Sequence, residues 1–184
     1  MAAIYVWWIG ADAPDHALLD GVRAAVSRSY ELPARLWHGE ERPADTWDPR
    51  RGQHSSTQIL HWLAGHRPAG ARKVLAVTDV DLFIPVLTFV YGEAQLGGHA
   101  AVVSTARLGR LPGGPGPDPS SSRLAKECVH ELGHTFGLVH CSTGRCVMSR
   151  SVNLAAVDGK SATFCNDCRL QYLERLSQLE TDHE

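Results

Sequence analysis

The chain has 184 residues, a net charge of −2, and apolar and charged fractions of 43% and 21%. That is length enough for one domain, or two small lobes, around a real core, in proportions ordinary for a globular protein. The near-zero charge excludes a strong electrostatic pull on nucleic acid or an anionic membrane, and no apolar run is long enough to cross a bilayer.

Residues 3–9 read as a first strand, because Ile4, Tyr5, Val6, Trp7, Trp8 and Ile9 are β-formers in an unbroken run. Asp12, Pro14 and Asp15 end that run, and no basic segment precedes it. A secretory leader is therefore not expected, and a cytoplasmic location is. Residues 15–30 read as an amphipathic helix, with Ala17, Leu18, Val22, Ala25 and Val26 on one face. A second strand is expected at 34–37. Residues 39–51 hold Pro43 and Pro49 and form a loop. Ser55 or Ser56 caps a helix to about His66, with Ile59, Leu60 and Leu63 inward. Further strands are expected at 73–78, 86–91 and 100–105. This alternation predicts an α/β fold with a mixed, mostly parallel sheet. Residues 111–119, rich in proline and glycine, are an exposed connector. Ser120 to Ser122 offer caps for a helix whose buried stripe is Leu124, Cys128, Leu132 and Phe136. Turns follow from His140 to Asp167. A last helix, residues 167–180, carries Leu170, Leu173, Leu176 and Leu179, read as a core-facing stripe, with a partner-helix surface as the second reading.

The chemistry concentrates in residues 130–140, His-Glu-Leu-Gly-His-Thr-Phe-Gly-Leu-Val-His. On a helix, His130 and His134 project from one face, one turn apart, where two imidazoles can share one zinc ion. Glu131 sits beside the first ligand, placed to work on a water without ligating the metal. His140 is six residues past His134 and would point away if the helix continued. The chain must turn, and Gly137 is best able to take the left-handed conformation that a helix end needs. Three protein ligands leave a fourth position open, the mark of a catalytic zinc site.

Five cysteines is an odd number, and four stand as Cys141-x4-Cys146 and Cys165-x2-Cys168. Those spacings favour zinc thiolates in a reducing compartment over disulfides. Four thiolates leave no open position, so this second zinc is expected to be structural. Cys128 lies on the apolar stripe and reads as a core residue. His16, His38, His54, His61, His66, His99 and His183 lack a partner at ligand spacing and read as surface or cap residues. Asp79 and Asp81 read as solvated or capping carboxylates rather than a cation pair.

The run from His130 to His140 resembles the long zinc signature of metzincin metallopeptidases. Followed at once by Cys141, Cys146 and Met148, then by Cys165 and Cys168, it resembles the archaemetzincin family. Weaker likeness extends to residues 78–82 and 90–94, and the first seventy residues match only in general character. The resemblance implies a metzincin-like zincin: a mixed sheet with two helices behind it, an active-site helix, and a small zinc-stapled C-terminal part. It implies two zinc ions, one catalytic on His130, His134 and His140 and one structural on the four cysteines. It implies Glu131 as general base and Met148 as the methionine turn beneath the metal. A substrate strand would lie along an edge strand, for which residues 88–93 are the candidate. The expected organisation is an N-terminal α/β subdomain, residues 1–137, and a C-terminal subdomain, residues 138–184.

The expected function is therefore hydrolysis of peptide bonds by a zinc-bound water that Glu131 activates. The expected partner is a peptide or protein substrate, with no nucleic acid, no membrane and a monomeric state. The alternative is a zinc-stabilised binding protein with little or no peptidase turnover. A zinc-ribbon nucleic-acid module is disfavoured, because residues 141–168 are poor in basic side chains for a phosphate-binding face.

Overall fold

The β-formers at the start of the chain build a strand that lies inside a sheet, buried on both faces. The structure, a computed structural model, describes residues 3–39, 42–109 and 119–181. The elements in order are β1 (Ala3–Trp8), α1 (His16–Tyr30), β2 (Ala34–Trp37), β3 (Trp47–Asp48), β4 (Gln53–Ser55), α2 (Ser56–Gly65), β5 (Ala71–Thr78), β6 (Leu82–Phe83), β7 (Gly92–Ala94) and β8 (Ala100–Ser104). They are followed by α3 (Ser120–Thr135), α4 (Leu154–Gly159) and α5 (Asn166–Thr181). The main sheet runs β2-β1-β5-β8-β7, parallel except for β7, which pairs antiparallel with β8 at the edge. A small second sheet joins β3, β4 and β6.

Side-chain alternation along the parallel strands feeds two cores. On one face, Ile4, Val6, Leu75, Val77, Ala101 and Val103 meet Leu19, Val22 and Val26 of α1 and Leu124, Cys128 and Leu132 of α3. On the other, Trp7, Val74, Ala76 and Val102 meet Ile59, Leu60 and Leu63 of α2. The first two helices thus lie on opposite faces of the sheet, not together behind it. Asp15 caps α1 by accepting from the N–H groups of Ala17 and Leu18, and Ser55 caps α2 through Gln58. The Asp79 carboxylate accepts from the Ala11 and Asp12 amides at 2.7 and 2.9 Å, which fits the capping role expected of it.

Helix α3 is the central piece, and both its flank and its end are fixed. Tyr30 donates its hydroxyl to the Val129 carbonyl, stacks on Phe136, and receives at its own carbonyl the Tyr172 hydroxyl of α5 at 2.7 Å. At the C-terminus of α3 the carbonyls that a helix leaves unpaired find donors. Gly97 N–H binds the His134 carbonyl, and buried Lys73 donates to the carbonyls of Thr135 and Gly98, both at 2.7 Å.

Several further expectations fail. Residues 86–91 are not a strand. After Pro85 the chain turns, Leu87 N–H binding the Ile84 carbonyl, and pairs only once, at Leu82 and Val90. An apolar run that lines a cleft has the same composition as a buried strand. The stripe of α5 is offset from the leucines: Cys168 and Tyr172 are buried and Leu176 and Leu179 partly so, whereas Leu170 and Leu173 are exposed. His54 is no surface residue; it is buried with its Nδ1 2.9 Å from Thr46 Oγ1. The N-cap position of α3 is held by Pro119 and not by a serine. Finally, the turns between His140 and Asp167 contain α4, too short for helical periodicity to reveal. The expected connector at 111–119 lies, but for Pro119, outside the described residues, as does His183.

Candidate active site

Helical spacing puts Glu127, His130, Glu131 and His134 on one face of α3, over the edge of the sheet. The imidazole nitrogens Nε2 of His130 and His134 lie 3.2 Å apart. The helix ends at Gly137, whose φ of +86° suits glycine and few other residues. Gly137 N–H binds the His134 carbonyl and Leu138 N–H the Gly133 carbonyl, which closes the helix and sends the chain back. His140 is thereby returned to the other two rings, and one nitrogen from each of the three histidines falls within 4.8 Å of the others.

The donors fit a zinc ion on their own chemistry. His130 Nδ1 lies 2.8 Å from the Val147 carbonyl and His134 Nδ1 2.7 Å from the Leu138 carbonyl. Each ring therefore spends its N–H on the backbone and turns the Nε2 lone pair inward, the arrangement that orients metal-bound histidines. Burial lowers the pKa of all three, His130 most, and Lys160 adds to it in each case. Neutral imidazole is the form that ligates.

Glu131 is buried, and burial, with the Glu127 carboxylate adding, pushes its pKa well above the ordinary carboxylate range. Such a carboxyl takes up a proton readily. Its position depends on Gly92 in edge strand β7, where an added Cβ would lie 2.7 Å from Glu131 Cγ and 2.7 Å from the Val102 carbonyl. Gly133 has a matching role: a Cβ there would fall 2.4 Å from Met148 Sδ. Met148 is fully buried beneath the histidines' helix, so the predicted methionine turn packs on α3 at its one glycine.

A cleft of about 490 Å³ opens over His130, Glu131 and His140. Residues 86–92 form one wall and residues 150–152 the other. Of the candidate substrate strand, 88–93, only Gly92 and Glu93 are in β7; the rest is cleft wall.

The four paired cysteines also converge. One sulfur from each lies within 4.8 Å of the others, and none is in a disulfide. The amides of Met148 and Cys165 point at Cys146 Sγ, at 3.4 and 3.3 Å, and that of Thr143 at Cys141 Sγ. Amide donors on sulfur favour thiolate, and the Cys168 amide helps bring Cys165 down to about 7, whereas burial pushes Cys146 and Cys168 up. The set suits a closed four-sulfur metal site. Cys128 stands apart, fully buried in the α3 stripe with its thiol pushed up by burial, as a core residue should be.

Sequence reasoning missed two further residues of this site, Glu127 and Lys160. Buried Lys160 lies 2.7 Å from Glu127, and Ser151 donates to the same carboxylate at 3.1 Å. The one available signal was that Glu127 stands four residues before Glu131; Lys160 carries no local pattern.

A two-histidine helix, a third histidine returned by a glycine turn, a buried glutamate and an underlying methionine define a metallopeptidase of the zincin type. Comparison with known proteins narrows this. Residues 70–175 match Peptidase family M54. The archaemetzincin of Methanopyrus kandleri is 44% identical over 126 residues, 68% of this chain and 69% of that protein, and that of Methanocaldococcus jannaschii is 41% identical over 137 residues, 72% and 73%. The crystal structure of the Methanopyrus kandleri archaemetzincin is similar at TM-score 0.84 and 34% identity, covering 96% of both chains. A zinc-dependent peptidase from Methanocorpusculum labreanum gives 0.81 and 30%, covering 92% of this chain and 100% of that one. The chain belongs to Peptidase family M54, the archaemetzincins, and is a zinc-dependent metallopeptidase acting on peptide or protein substrates. Among the described residues no helix is long and apolar enough to cross a membrane.

Proposed function

We infer that His130, His134 and His140 hold the catalytic zinc and that Glu131 is the general base. The observation that carries this is the convergence of three histidine nitrogens within 4.8 Å on the helix face that also bears buried Glu131. When bound, the zinc supplies a Lewis acid that lowers the pKa of a water and polarises a carbonyl. Glu131 removes the proton as water attacks the peptide carbonyl, holds it, and delivers it to the departing amine. Met148 supports the ligand helix by packing on Gly133 and ligates nothing. The substrate backbone adds alongside edge strand β7, whose outer side is the open edge of the sheet.

A second, structural zinc belongs to Cys141, Cys146, Cys165 and Cys168, supported by their convergence and their amide donors. The division of labour falls at Gly137. Residues 1–137 supply the sheet and the two helix histidines, and residues 138–184 supply His140, Met148 and the thiolates. A reducing, cytoplasmic setting agrees with five unpaired thiols. A monomer that binds neither nucleic acid nor membrane completes the reading. The cleft open beside Glu131 favours turnover over a purely binding role.

Glu131→Ala is expected to keep both zinc ions by metal analysis and to lose about 10²–10⁴-fold in peptide cleavage. Full cleavage by that variant would overturn the assignment of the base, and a single zinc per chain in the native protein would overturn one of the two metal sites.

A further inference from the structure

An ion pair is sunk into the floor of the cleft where the proposed mechanism makes no use of it. Glu127 and Lys160 have side chains 3% and 0% exposed and lie 2.7 Å apart. Such a pair is costly to desolvate and adds little net stability over apolar side chains of the same volume. Its atoms are unevenly used. Lys160 Nζ and Ser151 Oγ both engage Oε1 of Glu127. The second oxygen, Oε2, has no hydrogen-bond donor among the described residues, and Glu127 lines the cleft one helical turn before Glu131. The apolar and aromatic part of the lining is Phe89, Tyr91 and, exposed at the mouth, Leu87 and Val152.

We propose that Glu127 is a specificity-determining residue that selects a substrate side chain with an aromatic body and a neutral hydrogen-bond donor at its tip, tyrosine first. This rests on reading the cleft as the peptide-binding site. A wholly apolar side chain driven against Glu127 strips water from Oε2 and returns nothing to it. A phenol fills the apolar walls and donates to Oε2. A lysine or arginine side chain gains no net attraction, because Lys160 already neutralises the carboxylate and Arg150 adds a positive charge at the mouth. Sites built to hydrogen-bond a substrate hydroxyl discriminate strongly against the analogue that lacks it.

The test uses the zinc-loaded Glu131→Ala protein, so that binding is read without turnover. Labelled peptides carry Tyr, Phe, Leu or Arg at one position at a time, and affinity is measured by fluorescence anisotropy. One position is expected to favour Tyr over Phe by about tenfold, the worth of one hydrogen bond to a charged group, with Arg weakest. Adding Glu127→Leu with Lys160→Met removes both charges together, a replacement that buried pairs tolerate, and is expected to level Tyr and Phe. Adding Lys160→Met alone is expected to raise Arg above Phe. The proposal is overturned if Tyr and Phe bind alike at every position, if no peptide binds, or if the Tyr preference survives the double replacement. Cleavage of the Tyr peptide by the native protein is scored separately. A preserved Tyr preference without cleavage would sink the peptidase roles proposed above and leave this selection standing.

Discussion

Gly133 shows how a residue that the zinc signature leaves unspecified can be fixed by packing. The motif places two histidines and a glutamate, and the position before His134 looks free. The structure puts Met148 Sδ where a Cβ would be, 2.4 Å away, with Met148 itself fully buried. Gly133→Ala must displace the buried Met148 thioether from the helix, in a residue whose carbonyl accepts from the Cys141 N–H at 2.9 Å. Overpacking of this kind costs about 1–3 kcal/mol. The expected outcome is a lower unfolding midpoint together with weaker zinc retention in a chelator titration; a variant equal to native in both would show that Met148 can relocate freely. The convergence of the three histidines and of the four cysteines was legible because it is written in local spacing. Gly92, Glu127 and Lys160 were not, since each acquires its meaning from a neighbour far away in sequence. An added Cβ on Gly92 would touch Glu131, thirty-nine positions on.

At the scale of elements, most strands and helices were readable from periodicity, and the cleft wall was not. Residues 86–91 have the composition of a strand, yet the chain where this wall begins is held by a side chain. Arg51 donates to the Leu87 and Pro85 carbonyls at 2.9 and 3.2 Å and lies over the Phe83 ring. Arg107, gripped by both oxygens of Asp81 at 2.6 Å, lies over Phe89. These guanidiniums hold the wall without touching the proposed ligands. Arg51→Ala with Arg107→Ala is expected to raise KM roughly three- to tenfold, the worth of one or two exposed contacts, while kcat stays near native. A fall in kcat with KM unchanged would mean that the wall shapes the reacting groups rather than the docking surface.

Helix α3 depends on an unusual lysine at its end. Lys73 is buried, its ammonium over the Phe136 ring and between the Thr135 and Gly98 carbonyls, and burial brings it from 10.5 to about 8. The folded value is therefore below the unfolded one. Below pH 8 the lysine is charged in both states, and the folded chain carries the full cost of burying that charge. Between pH 8 and 10.5 the folded chain releases the proton while the unfolded chain keeps it, so this lysine's contribution to stability rises with pH. Relative to Lys73→Met, the native protein is expected to gain about 2 kcal/mol in unfolding free energy from pH 7.5 to pH 10. Denaturant titrations of both proteins at the two pH values give the difference, in which other titrating groups cancel. A flat difference would mean that the carbonyls and the ring hold the ammonium as well as water does.

Across the whole molecule, the proposed metal sites are joined by the shortest route the chain offers. His140 is followed by Cys141, and Cys141 N–H binds the carbonyl of Met148, which packs under α3. His140 and Met148 are thus both attached to the cysteine cluster, in a stretch of turns with little regular structure of its own. Structural zinc contributes roughly 10–16 kcal/mol to domains that depend on it, more than these turns gain by packing. The sequence made this coupling visible, because His140 and Cys141 are adjacent. What it concealed was that the same turns also close the cleft: Ser151 joins Glu127, and Lys160 comes in from the end of α4. Cys165→Ser removes one thiolate that lies far from the histidines in the chain and touches none of them. It is expected to lower the metal content from two zinc ions toward one and to cut peptide cleavage about 10- to 100-fold, the usual cost of losing the support behind a metal ligand. The two effects should move together as zinc is titrated back. Full cleavage with a single bound zinc would show that the turns hold His140 without the thiolate site, and the cysteines would then serve stability alone.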